Sequence, residues 1–264
     1  VLTGLPIESP GQANFMSMKR LLPEPGPTDI DSELADYRPF EDPLKDRPFV
    51  AVNMVSTVDG RASLSGRTVD LGTDIDTEML LKLRTRFDAV LIGGGTMRAE
   101  RYGRLVRDPE ARALRERSGL SPDPLAVIIS GRLDLPFDAP LFTNGEGRVL
   151  VFSNQAKSPP ETETSLRVVT VEGPIRITEV LKYLRQEQGV RAVLSEGGPH
   201  LLGQLVAADA VDDFFVTISP MVTGESDAPR MLEGELPAPV GLDLVSLSEA
   251  EGELFARYRR RALA

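Results

Sequence analysis

From Arg47 onward, short apolar runs rich in Val, Ile, Leu and Phe alternate with stretches in which apolar positions recur every three or four residues. The first pattern suits a strand, and the second suits a helix with one buried face. The runs predict strands over Phe49–Val55, Ala89–Ile92, Leu125–Ser130, Arg148–Phe152, Arg167–Val171, Ala192–Ser195 and Asp213–Ser219. Helical spacing predicts Asp74–Arg86, with Met79, Leu80, Leu83 and Phe87 in one stripe, together with Pro109–Glu116, Ile175–Gln188 and Pro199–Ala207. Turns dominate after Ser219, and Asp243–Leu247 and Gly252–Tyr258 then read as a closing antiparallel pair. Strands alternating with helices imply an α/β domain with a mostly parallel central sheet and antiparallel C-terminal strands.

The first 46 residues carry no sustained period. Eight of the 21 prolines fall within the first 48 positions, and proline removes a backbone donor from helix and ladder alike. The chain therefore divides into a proline-rich N-terminal extension over 1–46 and a layered domain over 47–264. Within the extension, 15–22 has the texture of a short strand and 29–37 that of one or two helical turns.

Composition narrows the chemistry. With 41 % hydrophobic and 27 % charged residues, the chain has the makeup of a globular protein rather than a fibrous or disordered one. No run approaches the length of a membrane span, and no signal-peptide pattern opens the sequence, so a cytoplasmic protein is expected. A net charge of -10 opposes binding to phosphate backbones or anionic lipid, which excludes nucleic acid and membrane as expected partners. There is no cysteine and one histidine, His200. Thiolate metal sites, iron–sulfur clusters, cysteine nucleophiles and histidine-rich metal centres are thereby excluded, and no metal is expected. What remains is carboxylates, hydroxyls, arginines, backbone amides or a borrowed cofactor.

Two strands run into glycine clusters that open a helix or turn: Val90-Leu91-Ile92 into Gly93-Gly94-Gly95-Thr96, and Val193-Leu194-Ser195 into Glu196-Gly197-Gly198-Pro199. Glycine lets backbone amides approach a phosphate, and a helix start adds free N–H groups and partial positive charge. Two such turns in one sheet suit the pyrophosphate of a dinucleotide; either alone is equally well a tight turn without a ligand. The first is not a Rossmann fingerprint, since Arg98 stands where a third glycine belongs, and neither is a Walker A loop. A third feature is Asn53 through Arg61, which places Asn53, Val55 and Thr57 on one strand face and Met54 and Ser56 on the other. Asn53, Ser56, Thr57 and Asp59 would sit at a pocket rim, although Asp59-Gly60 alone reads as a plain turn.

These motifs together resemble the reductase domain of riboflavin biosynthesis, over about residues 47–260. They are Asn53 through Gly60, Leu83-Arg84 with Asp88 through Gly93 and Thr96, Ser195 through Pro199, and Val211-Asp212-Asp213 with Ile218 through Gly224. The resemblance implies a three-layer dihydrofolate reductase-like fold, a homodimer, and NADPH-dependent reduction of 5-amino-6-(5-phosphoribosylamino)uracil or its diaminopyrimidinone analogue. Hydride would pass to C1′ of the opened ribosyl imine. It implies cofactor contacts from Thr57, Gly93, Gly95, Thr96, Glu100 and Ser130, and from the turn Gly197, Gly198, Pro199, His200, Leu201, Leu202 and Gly203. It further implies that Asn53, Ser56, Thr68, Arg84, Arg107 and Glu196 face the substrate, the arginines offering a planar donor fork to its phosphate. Asp59 and Glu196 are the expected catalytic carboxylates, the first in an electrostatic or proton-relay role and the second against the pyrimidine edge. His200 reads either as a cofactor contact or as a surface residue, and Arg98 and Arg132 are candidates for a 2′-phosphate.

The chain departs from the family's usual acidic residue and proline after Thr96, reading Ala99-Glu100-Arg101-Tyr102-Gly103, and the companion deaminase domain's zinc ligands are absent. Two other readings stand beside the pyrimidine reductase: a dihydrofolate or pterin reductase on the same scaffold, and a non-catalytic nucleotide-binding module. A substrate phosphate requires Arg84 and Arg107 to converge, whereas a pterin requires a buried carboxylate for its amino-substituted ring edge.

Overall fold

The computed structural model describes residues 18–41, 44–64 and 71–261. Eleven strands form one sheet among them: β1 (Met18–Leu22), β2 (Gly26–Thr28), β3 (Phe49–Thr57), β4 (Ala89–Gly93), β5 (Leu125–Ile129), β6 (Arg148–Ser153), β7 (Ser165–Thr170), β8 (Ala192–Ser195), β9 (Asp213–Ser219), β10 (Leu242–Ala250) and β11 (Glu253–Arg260). The helices are α1 (Ile30–Glu33), α2 (Asp74–Arg84), α3 (Gly94–Glu100), α4 (Pro109–Arg117), α5 (Pro140–Thr143), α6 (Ile177–Glu187) and α7 (Pro199–Ala207). The spatial order is β2-β1-β10-β11-β9-β3-β8-β4-β5-β6-β7. From β9 to β7 every pairing is parallel, while β11, β10, β1 and β2 continue antiparallel beyond β9. The expected mostly parallel sheet with antiparallel C-terminal strands is what forms.

Alternation along the central strands sorts the core onto two faces. Val50, Val52, Met54, Val193 and Leu91 pack with α6 and α7 on one face. Ala51, Ala192 and Leu194 pack on the other against α1 and α2, through Ile75, Met79, Leu83 and Phe87. Val90, Ile92, Ala126 and Ile128 join Met97, Leu105 and Phe142 in a third cluster. Helix, sheet and helix thus form three layers.

Caps explain several boundaries. Thr73 accepts from the Ile75 N–H at the start of α2, and Asp108 accepts from the Glu110 and Ala111 N–H groups at α4, where Pro109 occupies the first turn. The polypeptide of 18–41 belongs to the same sheet and core. Strand β1 pairs with β10, while Ile30, Leu34, Tyr37 and Phe40 are buried, with the Tyr37 ring 5.2 Å from that of Phe215. The expected short strand is seen from Met18, and the expected helical turns narrow to α1. Among the described residues, no helix is long and apolar enough to cross a membrane.

Candidate active site

The C-terminal ends of β3, β4 and β8 meet α2 and the 101–108 segment around a cleft of about 980 Å³. One wall is made by the glycine turns. Strands β4 and β8 are neighbours, so α3 and α7 begin side by side, and their N-caps, Gly93 and Gly198, provide no side-chain hydrogen bond. The orphan N–H groups of both helix starts are therefore unoccupied by side-chain caps. Gly198 has φ +65°, and a Cβ there would stand 2.6 Å from Thr96 Oγ1, so glycine is required for conformation and for space. This donor set suits a pyrophosphate, and the resulting cradle is one that side chains at these glycines would fill. Helix α7 is further fastened by the Glu233 N–H donating to the Pro199 carbonyl at 3.1 Å.

Beside the second glycine turn, the cleft is also lined by an ion pair between residues far apart in sequence. Arg84 donates from Nε to Glu196 Oε1 at 2.7 Å and from Nη2 to Glu196 Oε2 at 2.6 Å, while Nη1 donates to the Leu105 carbonyl at 3.2 Å. The Tyr102 ring lies 5.5 Å from the Arg84 guanidinium. Burial and then the Glu196 charge push the Tyr102 hydroxyl well above its ordinary range. Burial alone would lower the Arg84 pKa, but the Glu196 carboxylate overrides it and the net shift is upward. This trio joins α2, the end of β8 and the 101–107 segment. The departure from the family pattern after Thr96 is thus where Tyr102 enters the Arg84–Glu196 pair.

Arg107 has no neutralising partner among the described residues. It is exposed, lines the cleft, and makes no hydrogen bond or ion pair with any described residue. Nearby Arg104 is committed to Asp123, at 2.9 and 2.8 Å, and to Glu146.

The RibD C-terminal domain model matches residues 48–254. The chain belongs to the RibD C-terminal domain family. The match begins at β3 and ends inside β11, so β1, β2 and α1 lie outside it. The chain is 29 % identical over 194 residues to the 2,5-diamino-6-ribosylamino-4(3H)-pyrimidinone 5′-phosphate reductase of Archaeoglobus fulgidus, covering 72 % of this chain and 88 % of that protein. It is 26 % identical over 193 residues to the same-named reductase of Methanothermobacter thermautotrophicus, covering 72 % and 85 %. Among solved structures, a pyrimidine reductase-like protein from Corynebacterium diphtheriae superposes with a TM-score of 0.75 at 20 % identity, covering 89 % of this chain and all of that one. The riboflavin biosynthesis reductase Rib7 of Saccharomyces cerevisiae gives a TM-score of 0.67 at 21 % identity over the same shares, 89 % and 100 %. These structural likenesses establish the fold.

Within this RibD-type domain, the cleft gathers Asn53, Arg84, Gly93, Gly95, Thr96, Glu100, Arg107, Glu196, Gly197, Gly198, Pro199, His200 and Leu201 from the expected site residues. Ser56, Thr57, Asp59, Ser130, Leu202 and Gly203 are not on its wall. Ser56 and Ser130 are buried at strand ends, Leu202 belongs to the core beneath α7, and the Gly203 backbone packs against the Glu233 carbonyl. Thr68 lies outside the described residues.

Thr57 and Asp59 build a junction between loops. The Thr57 hydroxyl donates to Asp59 Oδ1 at 2.5 Å and accepts from the Arg61 N–H, while the Thr223 and Gly224 N–H groups donate to the Asp59 carboxylate at 3.3 and 3.0 Å. Led by the Thr57 hydroxyl, these donors bring its pKa down to about 2. Arg84, expected to offer its fork to a phosphate, gives it to Glu196, because that carboxylate is buried beside it and needs two donors. Each Glu196 oxygen correspondingly accepts from Arg84. Arg98 donates to the Asp134 carbonyl at 2.8 Å, whereas Arg132 is exposed without a described partner. Sequence reasoning missed Tyr102 and Asp76. Asp76 appears in sequence as an ordinary first-turn helix acid.

Proposed function

We propose that the protein uses NADPH to reduce a ribosylaminopyrimidine 5′-phosphate, the diaminopyrimidinone or its uracil counterpart, to the ribitylamino product. The observation that carries this reading is one cleft holding both paired glycine turns and the guanidinium of Arg107, which has no partner among the described residues. NADPH, when bound, supplies the hydride accepted at C1′ of the opened ribosyl imine. The amides following Gly93 and Gly198, with Thr96, hold its pyrophosphate, and His200 stands beside them at the start of α7. Arg132, next to Ser130-Gly131, is the better candidate for the 2′-phosphate because Arg98 is engaged by Asp134. Arg107 holds the substrate phosphate by charge-assisted hydrogen bonds.

Arg84, Glu196 and Tyr102 act as positioning residues, keeping the 101–107 segment and hence Arg107 in place. Asp59 also enters as a positioning residue. Its low pKa leaves it ionised near neutrality, a poor proton donor but a firm clamp between 57–61 and 221–224. Asn53 reaches the cleft from β3 and orients the substrate ring. The reading also carries a homodimer, implied by the resemblance, and the cytoplasmic setting expected from the sequence.

A pterin reductase would use the same scaffold, and the buried carboxylate it requires has a counterpart in Asp76 while Arg84 is taken up by Glu196; what sets it second is that a pterin brings no ribosyl phosphate for Arg107. The test is NADPH oxidation, followed at the nicotinamide absorbance, with the ribosylaminopyrimidine phosphates and dihydrofolate in parallel. Turnover of a phosphorylated pyrimidine alone is expected. Turnover of dihydrofolate alone moves the protein to the pterin class, and stoichiometric NADPH binding with no turnover of either makes it a binding module.

A further inference from the structure

Where the N-terminal segment meets the end of α2, outside the cleft, two arginines come together without a carboxylate. The Tyr37 and Phe87 rings pack with centroids 6.0 Å apart, which brings their chain neighbours Arg38 and Arg86 to one junction. Arg86 Nε is buried with no hydrogen-bond partner, and Arg38 donates to the Tyr37 carbonyl at 3.2 Å. Neither forms an ion pair with a carboxylate among the described residues. The acids nearby are committed elsewhere: both Asp31 oxygens accept from Lys82, at 2.7 and 2.8 Å, and Asp88 pairs with Arg191 at 3.3 Å. Burial and then the Arg38 charge lower the Arg86 pKa, and Asp31 offsets them only in part. Nor does the helix need this guanidinium at its end. The Lys82 carbonyl accepts from the Thr85 hydroxyl at 2.7 Å, that of Leu83 from the Arg86 backbone N–H at 2.8 Å, and that of Arg84 from Arg115 at 2.6 Å. Two unneutralised guanidiniums at one junction repel each other and leave donors unmatched, and a bound anion relieves both.

We infer that Arg38 and Arg86 form a binding site for a phosphate group, separate from the cleft. Charge favours phosphate over carboxylate. One carboxylate is matched by one guanidinium fork, as Glu196 is by Arg84, whereas a phosphate dianion balances two forks and has oxygens to accept from both. Both arginines are half-buried, within reach of a solute yet partly withdrawn from water, where charge-assisted hydrogen bonds gain strength. Arg38 lies outside the family match over 48–254 and Arg86 inside it, so the site exists only where the N-terminal segment docks on the domain. An occupant ties that segment to the end of α2.

Isothermal titration of the whole chain with inorganic phosphate and with ribose 5-phosphate, at an ionic strength held constant with sodium chloride, tests the site. Wild type is expected to bind phosphate saturably. Arg38→Gln and Arg86→Gln each remove one fork, and each is expected to weaken that binding by roughly tenfold to a hundredfold, as for lost hydrogen bonds to a charged group. Arg107→Ala is expected to retain it. No saturable binding by wild type, or wild-type affinity in both glutamine variants, overturns the inference. Binding that disappears with Arg107→Ala assigns the anion to the cleft and overturns it equally. The two variants lie on different elements, so if one fails to fold the other still decides. With the same dependence on Arg38 and Arg86, tighter binding of ribose 5-phosphate bears the site out with a phosphate ester as its occupant, and equal or weaker binding bears it out with the free ion. Neither arginine lines the cleft, so the result is independent of whether the protein reduces a pyrimidine.

Discussion

Two carboxylates face the same cleft from different elements, and the protein treats them in opposite ways. Glu196, at the end of β8, has both oxygens occupied by Arg84 and is braced by the chain from Tyr102 to Leu105. Asp76, at the start of α2, keeps one oxygen buried and unmatched. A satisfied buried group fixes architecture, whereas an unsatisfied one is a standing penalty that structure alone does not explain. The contrast therefore assigns Glu196 to holding the site together, while the Asp76 carboxylate lies under the Gly72 backbone with only the Thr217 hydroxyl to offset its burial.

The sharpest way to break the contrast is to turn Glu196 into an unsatisfied group. Arg84→Ala leaves a buried carboxylate without its cation and is expected to cost roughly 3–5 kcal/mol, read by urea unfolding. A loss under about 1 kcal/mol would mean that the pair is dispensable to the fold. Gly198→Ala is expected to destabilise by about 1–3 kcal/mol, from its positive φ and the clash with Thr96, and to weaken NADPH binding in a fluorescence titration. Arg107→Ala should raise the KM for the phosphorylated substrate by roughly tenfold to a hundredfold, as for a lost hydrogen bond to a charged group. It should leave the unfolding midpoint unchanged, because Arg107 pairs with none of the described residues.

The smallest effects are in pH dependence, and they have opposite signs. Asp76 has a raised folded pKa, so the native state binds more protons than the unfolded one, and stability falls as pH rises from about the unfolded value toward the folded one. Asp76→Asn should flatten that slope and leave the protein no less stable at neutral pH. Asp59, lowered to about 2, does the reverse: its contribution is present above the unfolded value of 3.8 and disappears as pH falls toward 2. Acid titrations of Asp59→Asn should show that loss removed, with no new inflection in activity between pH 5 and 8.

Much of the frame was readable along the chain because local period and local chemistry agree there. The helix beginning at Pro199 and the strands Ala192–Ser195 and Asp213–Ser219 form at the expected boundaries, where proline, glycine and alternation act within a few residues. Both glycine turns reach the cleft for the same reason. What escaped was set by distance. Strand β1 gains its partner from β10, over 200 residues away, and Arg84 meets Glu196 across a separation of 112. Asp76 follows Asp74 in a helix start where acids are ordinarily welcome, and only its placement against the cleft shows that its carboxylate is buried. Arg84 and Asp59 were readable as important residue types, but their partners, and so their tasks, were not.

The two N-terminal strands have a consequence for the molecule's behaviour among its own copies. Residues Lys19 to Leu22 pair with Leu247 to Glu249, and Arg20 then reaches Glu33 at 2.7 Å. They thereby shield a stretch of β10 whose backbone would otherwise offer donors and acceptors to any passing strand. Stripped of this cover, the long antiparallel ribbon would become adhesive, and the segment outside the family match would be what keeps the molecule from stacking edge to edge.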